Sequence, residues 1–224
     1  MNILKLYQDF YNENSNFEKA NFDKKLISSN FEIRGVKTSE IEKFVKFLMS
    51  NNFDASSLPT NCHEDILIKG FVIGKIKDKD LKISFIRQIL PYIDNWATCD
   101  MIVARLKNMK EEKEFFESLL SSDKPFYIRF GIVWLKNNCL KDDFDVIKKI
   151  LTINNQDYYV KMAQSWAVAD AFVIDFDKTL KVLEKINDDF IFKKSISKTC
   201  ESFRLNNNQK KILKALKGEK EKKC

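Results

Sequence analysis

From Ser39 onward, apolar residues recur every three to four positions. Ile41, Phe44, Val45 and Leu48 fall on one face of a helix, and the spacing of Ser39 and Glu42 predicts a capping box at its start. The same period predicts helices over about 64–77, 80–92, 95–107, 110–120, 124–138, 142–152, 157–174, 177–186, 189–203 and 208–217. Pro59, Pro91 and Pro125 fall at or near the breaks, where a helix tolerates a missing N–H. Connectors are short and polar, such as Asn154–Gln156 and Asn187–Asp189. Only residues 12–38 show no clear period. No linker divides the chain, so the pattern predicts an all-α fold with one domain over 1–217 and a Lys-rich tail over 218–224.

A repeat runs through the second half. Tyr127-Ile128-Arg129, Tyr159-Val160-Lys161 and Ile191-Phe192-Lys193 each open a predicted helix, and their bases are spaced 32 apart, twice in succession. Trp134 and Trp166 each stand five residues after a base. Helix pairs at such a period stack into an α-solenoid, in which equivalent residues of successive repeats share one face. Arg129, Lys161 and Lys193 are therefore expected in a row along a concave cleft. The tetratricopeptide pattern of Trp, Leu-Gly and Tyr is absent, and HEAT-like repeats fit better. Periodicity alone leaves the ligand open: solenoids are mostly protein-binding scaffolds, and such bases also serve to cover a neighbouring helix with their stems.

Composition narrows the classes. Five glycines and three prolines are too few for an all-β fold of 224 residues, and no Gly-rich loop is present to cradle a dinucleotide or a nucleotide phosphate. No apolar run approaches the roughly 20 residues that cross a membrane, and Met1–Lys5 is too short for a signal peptide. A cytoplasmic protein is expected. Lys and Arg (39) exceed Asp and Glu (32), but seven lysines and two glutamates lie in residues 208–224, leaving the body near +2. The tail lysines are expected to be solvated. Five cysteines without a CxxC pair suggest buried thiols at Cys99, Cys139 and Cys200 rather than a disulfide framework or zinc site. His63 is the only histidine, and His63-Glu64-Asp65-Ile66-Leu67 is not a zinc-hydrolase motif.

The segment Leu90-Pro91-Tyr92-Ile93-Asp94-Asn95-Trp96-Ala97-Thr98-Cys99-Asp100 carries more, since Trp96 and Asp100 are four apart and share a helix face. Four further pieces follow the same order in the chain: Gly35–Glu40, Tyr127–Gly131, Tyr158–Ala163 with Trp166, and Lys198–Arg204. Together, over about residues 15 to 215, they resemble the AlkD-like family of DNA alkylation repair proteins. The resemblance implies HEAT-like repeats curved around duplex DNA. It also implies a monofunctional glycosylase that releases N3- and N7-alkylated purines, such as 3-methyladenine and 7-methylguanine, with the lesion left stacked. No metal or cofactor is implied, and a monomer is expected. By the same resemblance, Asp100 matches the catalytic aspartate, Trp96 and Trp166 the cleft tryptophans, and Arg129 the arginine beside the lesion. Lys161 and Lys193 would add phosphate contacts. Two features differ from active relatives: Ala97 stands where many carry an acidic residue, and Asn14–Lys25 shows no match to helices that grip DNA. Read without the resemblance, Asp100 is equally a helix residue bonded to a neighbouring repeat, the tryptophans are core residues, and Arg129 pairs with Asp100 or Asp94. The alternative function is a non-catalytic HEAT-like module that binds nucleic acid or a protein partner.

Overall fold

A computed structural model describes residues 2–222. Among them, thirteen α-helices and four single 3-10 turns follow one another without a β-strand, apart from an isolated backbone bridge between Glu32 and Cys62. They form two compact units, one ending at Met109 and one beginning at Lys110.

The first unit holds α1 (Ile3–Asn14), α2 (Phe17–Leu26), α3 (Thr38–Ser50), α4 (His63–Lys75), α5 (Lys79–Ile89) and α6 (Trp96–Val103). Its centre is α4, whose residues from His63 to Ile73 are all buried. A helix apolar on most of its sides has to be enclosed, and α3, α5 and α6 pack around it. Gly70 lets α6 approach: a Cβ there would lie 2.4 Å from Ile102 Cγ1. Burying side chains such as Ile66, Ile68, Phe71 and Ile73 contributes about 1.5–3 kcal/mol each.

The acidic start of α4 explains the stretch that showed no period. Buried Glu64 accepts hydrogen bonds from the backbone N–H groups of Arg34, Gly35 and Val36, the shortest at 2.8 Å. Asp65 accepts from the Tyr11 hydroxyl and from the Asn61 N–H. Gly35 has φ +72°, and a Cβ there would sit 2.2 Å from the Asn16 carbonyl oxygen, so glycine is required on both counts. Residues 3–26 thus form α1 and α2, capped by Asn2 and Asn16, and are tied to α4 by side chains distant in sequence. The expected capping box does not form. Lys37 occupies the N-cap of α3 without a side-chain bond, and Glu42 pairs with Arg105 at 2.6 Å instead.

The second unit holds α7 (Lys113–Ser118), α8 (Pro125–Asn138), α9 (Val146–Leu151), α10 (Tyr158–Ile174), α11 (Phe176–Leu183), α12 (Asp189–Glu201) and α13 (Asn207–Lys222). α8, α10 and α12 pack in series. α7 lies against α8, α9 against α8 and α10, α11 against α10, and α13 against α12. Asp157, Asp175 and Asp188 cap α10, α11 and α12, which fixes the starts close to those expected. α9 starts later than expected because Asp142 and Asp143 turn to Lys110 and Lys113. α13 runs on through Gly218 to Lys222 where a solvated tail was expected. Lys217 donates to Ser197 Oγ at 3.3 Å, and Lys220 lies 3.4 Å from Asp189 and over the Phe192 ring. Cys224 lies outside the described residues.

Cys62, Cys99 and Cys139 are buried thiols outside any disulfide, and Cys200 is a half-buried one. Burial, reinforced by the Asp65 charge, pushes the Cys62 thiol up to about 12. Among the described residues, no three His, Cys, Asp or Glu side chains gather as metal ligands, and no helix is long and apolar enough to cross a membrane.

Candidate active site

In the first unit, the site begins with the entry to α6. The Asn95 side chain caps the helix by accepting from Thr98 N–H at 3.0 Å, and its amide donates to Asp94 at 2.8 Å. Asp94 also accepts from the Ser29 hydroxyl at 2.9 Å. The helix so held places Trp96 and Asp100 one turn apart on a single, partly exposed face, while Ala97, Thr98 and Cys99 point inward. The Trp96 indole N–H donates to the Leu26 carbonyl at 3.1 Å, which fixes the ring's edge, and the residue is half-buried. Position 97 is buried, so alanine suits it, and an acidic residue there would need a buried partner.

Ser29, through Asp94, and the Leu26 carbonyl, through Trp96, hold this helix from a segment that carried no periodic signal. Asp94-Asn95 just ahead of Trp96 reads as a helix cap, which was the one available clue.

In the second unit, α8 and α10 bring Arg129 and Trp166 together. Arg129 is only 3% exposed. Its Nη1 donates to the Tyr159 carbonyl in the first turn of α10 at 2.8 Å, and its Cζ lies 5.6 Å from the Trp166 ring centre. Lys136, paired with Asp170 at 2.8 Å, lies 5.6 Å from the same ring. The half-buried Trp166 indole is therefore within cation–π reach of two bases. Trp134, its counterpart one repeat earlier, is fully buried and stacked on Phe116 at 3.7 Å. Equal places in the repeat thus give one core indole and one partly exposed one.

The two lysines of the row have acidic partners. Lys161 lies 2.9 Å from Asp188, the N-cap of α12, and donates to Gln156 at 2.6 Å. Burial works to raise the Asp188 carboxyl, but Lys161 and the capping N–H groups hold it below the usual range. Lys193 lies 3.3 Å from Asp189 on its own helix, and Lys193 and Lys220 together hold the Asp189 carboxyl low. Arg129 and Lys161 each reach to the start of the next helix in the series, so they join consecutive repeats.

Elsewhere in the first unit, His63 is buried with Nδ1 unpartnered, and burial pushes its pKa down. Among the described residues, no thiol or hydroxyl is hydrogen-bonded to its ring for nucleophilic chemistry.

No curated protein and no solved structure matches the chain. A family model described as DNA alkylation repair enzyme matches residues 8–201, most of the chain and both units. The α6 face and the Arg129–Trp166 pair both lie inside that match. The chain belongs to the DNA alkylation repair enzyme family.

Proposed function

We propose that the protein is a DNA glycosylase that hydrolyses the N-glycosidic bond of cationic N3- and N7-alkylated purines in duplex DNA. The observation that carries this reading is Asp100, presented beside Trp96 on the partly exposed face of α6 within the family match. Alkylation at N3 or N7 makes the purine cationic, so it leaves as a neutral base and needs no general acid. Positive charge then grows on the deoxyribose as the bond lengthens, as in oxocarbenium-like sugar hydrolysis. A fixed carboxylate stabilises that charge more in the transition state than in the ground state and orients the attacking water. Asp100 supplies it. The indole face of Trp96 favours the growing charge, and in the second unit Arg129 and Trp166 serve the DNA strand. Lys161 and Lys193 add phosphate contacts only where DNA competes for them with Asp188 and Asp189. This chemistry calls for no metal or cofactor. The reading takes the protein as a cytoplasmic monomer with residues 1–217 as one domain.

The test is release of 7-methylguanine from methylated duplex by wild type and Asp100→Asn. We expect excision by the wild type and a loss of at least about 10²–10³-fold in the variant, the usual scale for removing a preorganised electrostatic group, with DNA affinity retained. Equal excision by both removes Asp100 from the mechanism.

A second reading, a non-catalytic module that binds nucleic acid or protein, is favoured by the ion-paired state of Lys161 and Lys193 and the burial of Arg129. It expects no released base from folded wild-type protein.

A further inference from the structure

The first unit carries 16 basic residues against 14 acidic ones, close to balance. They are not evenly spread. A cavity of about 710 Å³ lies where the middle of α3, the end of α4, the start of α5 and the segment after α6 meet, and it is lined by seven bases and one acid. The rest of the unit is left with nine bases against thirteen acids. The one acidic residue in the lining, Glu42, already pairs with Arg105, which packs its guanidinium over the Phe71 ring at 3.3 Å. Six lysines line the cavity with it: Lys46, Lys75, Lys77, Lys79, Lys82 and Lys107.

Part of this cluster follows from helix structure alone. Lys75, Arg105 and Lys107 lie at or just after the C-termini of α4 and α6, where cations offset the helix dipole. Lys79 and Lys82 do not fit that account. They occupy the first and fourth positions of α5, at the positive end of its dipole, where acidic residues are favoured. Lys82 is also only 6% exposed, and no described carboxylate pairs with it. Burial and the neighbouring Lys79 charge both push its pKa down. A lysine in the wall of a cavity, without a counter-ion and at the unfavourable end of a helix, is destabilising until an anion arrives.

We infer that this cavity is a binding site for phosphate groups, taken from a nucleic-acid backbone or from a free polyphosphate. Phosphate is favoured over carboxylate because six lysines around one cavity match several closely spaced oxyanions, and compact ammonium groups suit phosphate as point charges. The duplex source rests on the DNA reading above, while the free-polyphosphate source does not.

The test uses the full chain and three probes: tripolyphosphate, a fluorescein-labelled unmodified 20-base-pair duplex, and a glutamate-rich peptide of matched charge. The variants are Lys79→Gln/Lys82→Gln and Lys46→Gln/Lys107→Gln. The second pair lies at exposed positions, so the fold, checked by circular dichroism, is kept. We expect tripolyphosphate to bind wild type and to weaken at least tenfold in each variant, with the peptide binding far more weakly. If the duplex is the source, it displaces tripolyphosphate, and each pair lowers the slope of log affinity against log salt by about 1.8, or 0.9 per lost phosphate contact. If tripolyphosphate binds and the duplex does not displace it, a free polyphosphate is the ligand and the site stands. Less than a twofold change for both phosphate probes in the folded Lys46→Gln/Lys107→Gln protein overturns the site, as does equal binding of the peptide. Excision by these variants is measured separately, so a failed phosphate site leaves the Asp100 assignment untouched.

Discussion

In the second unit, the lysines picked out by regular spacing are met by carboxylates, Lys161 by Asp188 and Lys193 by Asp189, and so are two others, Lys136 by Asp170 and Lys113 by Asp143. In the first unit, lysines with no regular spacing crowd a cavity that holds a single, already engaged acid. The residue type is the same and the consequence is opposite. A paired lysine such as Lys161, which joins one repeat to the next, has little charge left to offer, whereas buried Lys82, with no described carboxylate on it, is costly to hold and ready for a ligand. Repeat spacing identifies equivalent positions; whether a position binds anything depends on what lies opposite it.

The sharpest contrast between built-in and available charge is Glu64, a buried carboxylate whose charge is fully used inside the protein. Replacing it with Ala leaves the N–H groups of Arg34, Gly35 and Val36 without an acceptor. We expect a loss of about 3–5 kcal/mol by urea unfolding, and a loss below about 1 kcal/mol would show that this anchor is dispensable. The lysines come next and should shift stability in opposite directions. Lys161→Met removes the bond to Asp188 and is expected to cost about 1 kcal/mol. Lys82→Met removes an unpaired buried charge and is expected to raise stability by about 0.5–1 kcal/mol. Thermal melts of the two variants decide this, and shifts of the same sign would collapse the distinction between the units.

A last effect, seen only on acidification, concerns His63. Burial lowers its folded pKa below the ordinary 6.5, so below that pH the unfolded chain binds a proton that the folded one refuses. Stability should therefore fall as pH drops through 6.5 toward the lower folded value, with a limiting slope of about 1.4 kcal/mol per pH unit. Melting at pH 7.5 and 5.5 should show a larger loss for wild type than for His63→Gln, and equal losses would assign the pH dependence elsewhere.

The sequence reveals helices where the information is local. α8, α10 and α12 carry their starts in Pro125, Asp157 and Asp188 and their buried faces in a 3.6-residue period. It hides α1 and α2, whose short polar stretches are held by Tyr11 on Asp65 and by loop 34–36 on Glu64, contacts between residues some thirty to fifty positions apart. The Ser39–Glu42 spacing misleads for the same reason, because Arg105 claims the glutamate. At the candidate site, the i, i+4 relation of Trp96 and Asp100 is legible. The partners of Lys161 and the cavity assembled from residues 42 to 108 are not, since each depends on which loops the fold brings together.

The three tryptophans differ in a way that gives the protein its own optical probe. Trp134 is sealed and stacked on Phe116, while Trp96 and Trp166 present partly open indoles, one in each unit. A neutral quencher such as acrylamide should therefore extinguish two emissions and spare the third, which becomes an internal standard. A duplex that covers the α6 face would shield Trp96 from the quencher, and one that also reaches the Arg129 neighbourhood would shield Trp166. Single Trp→Phe variants would then report, without any attached label, which unit a DNA strand engages first.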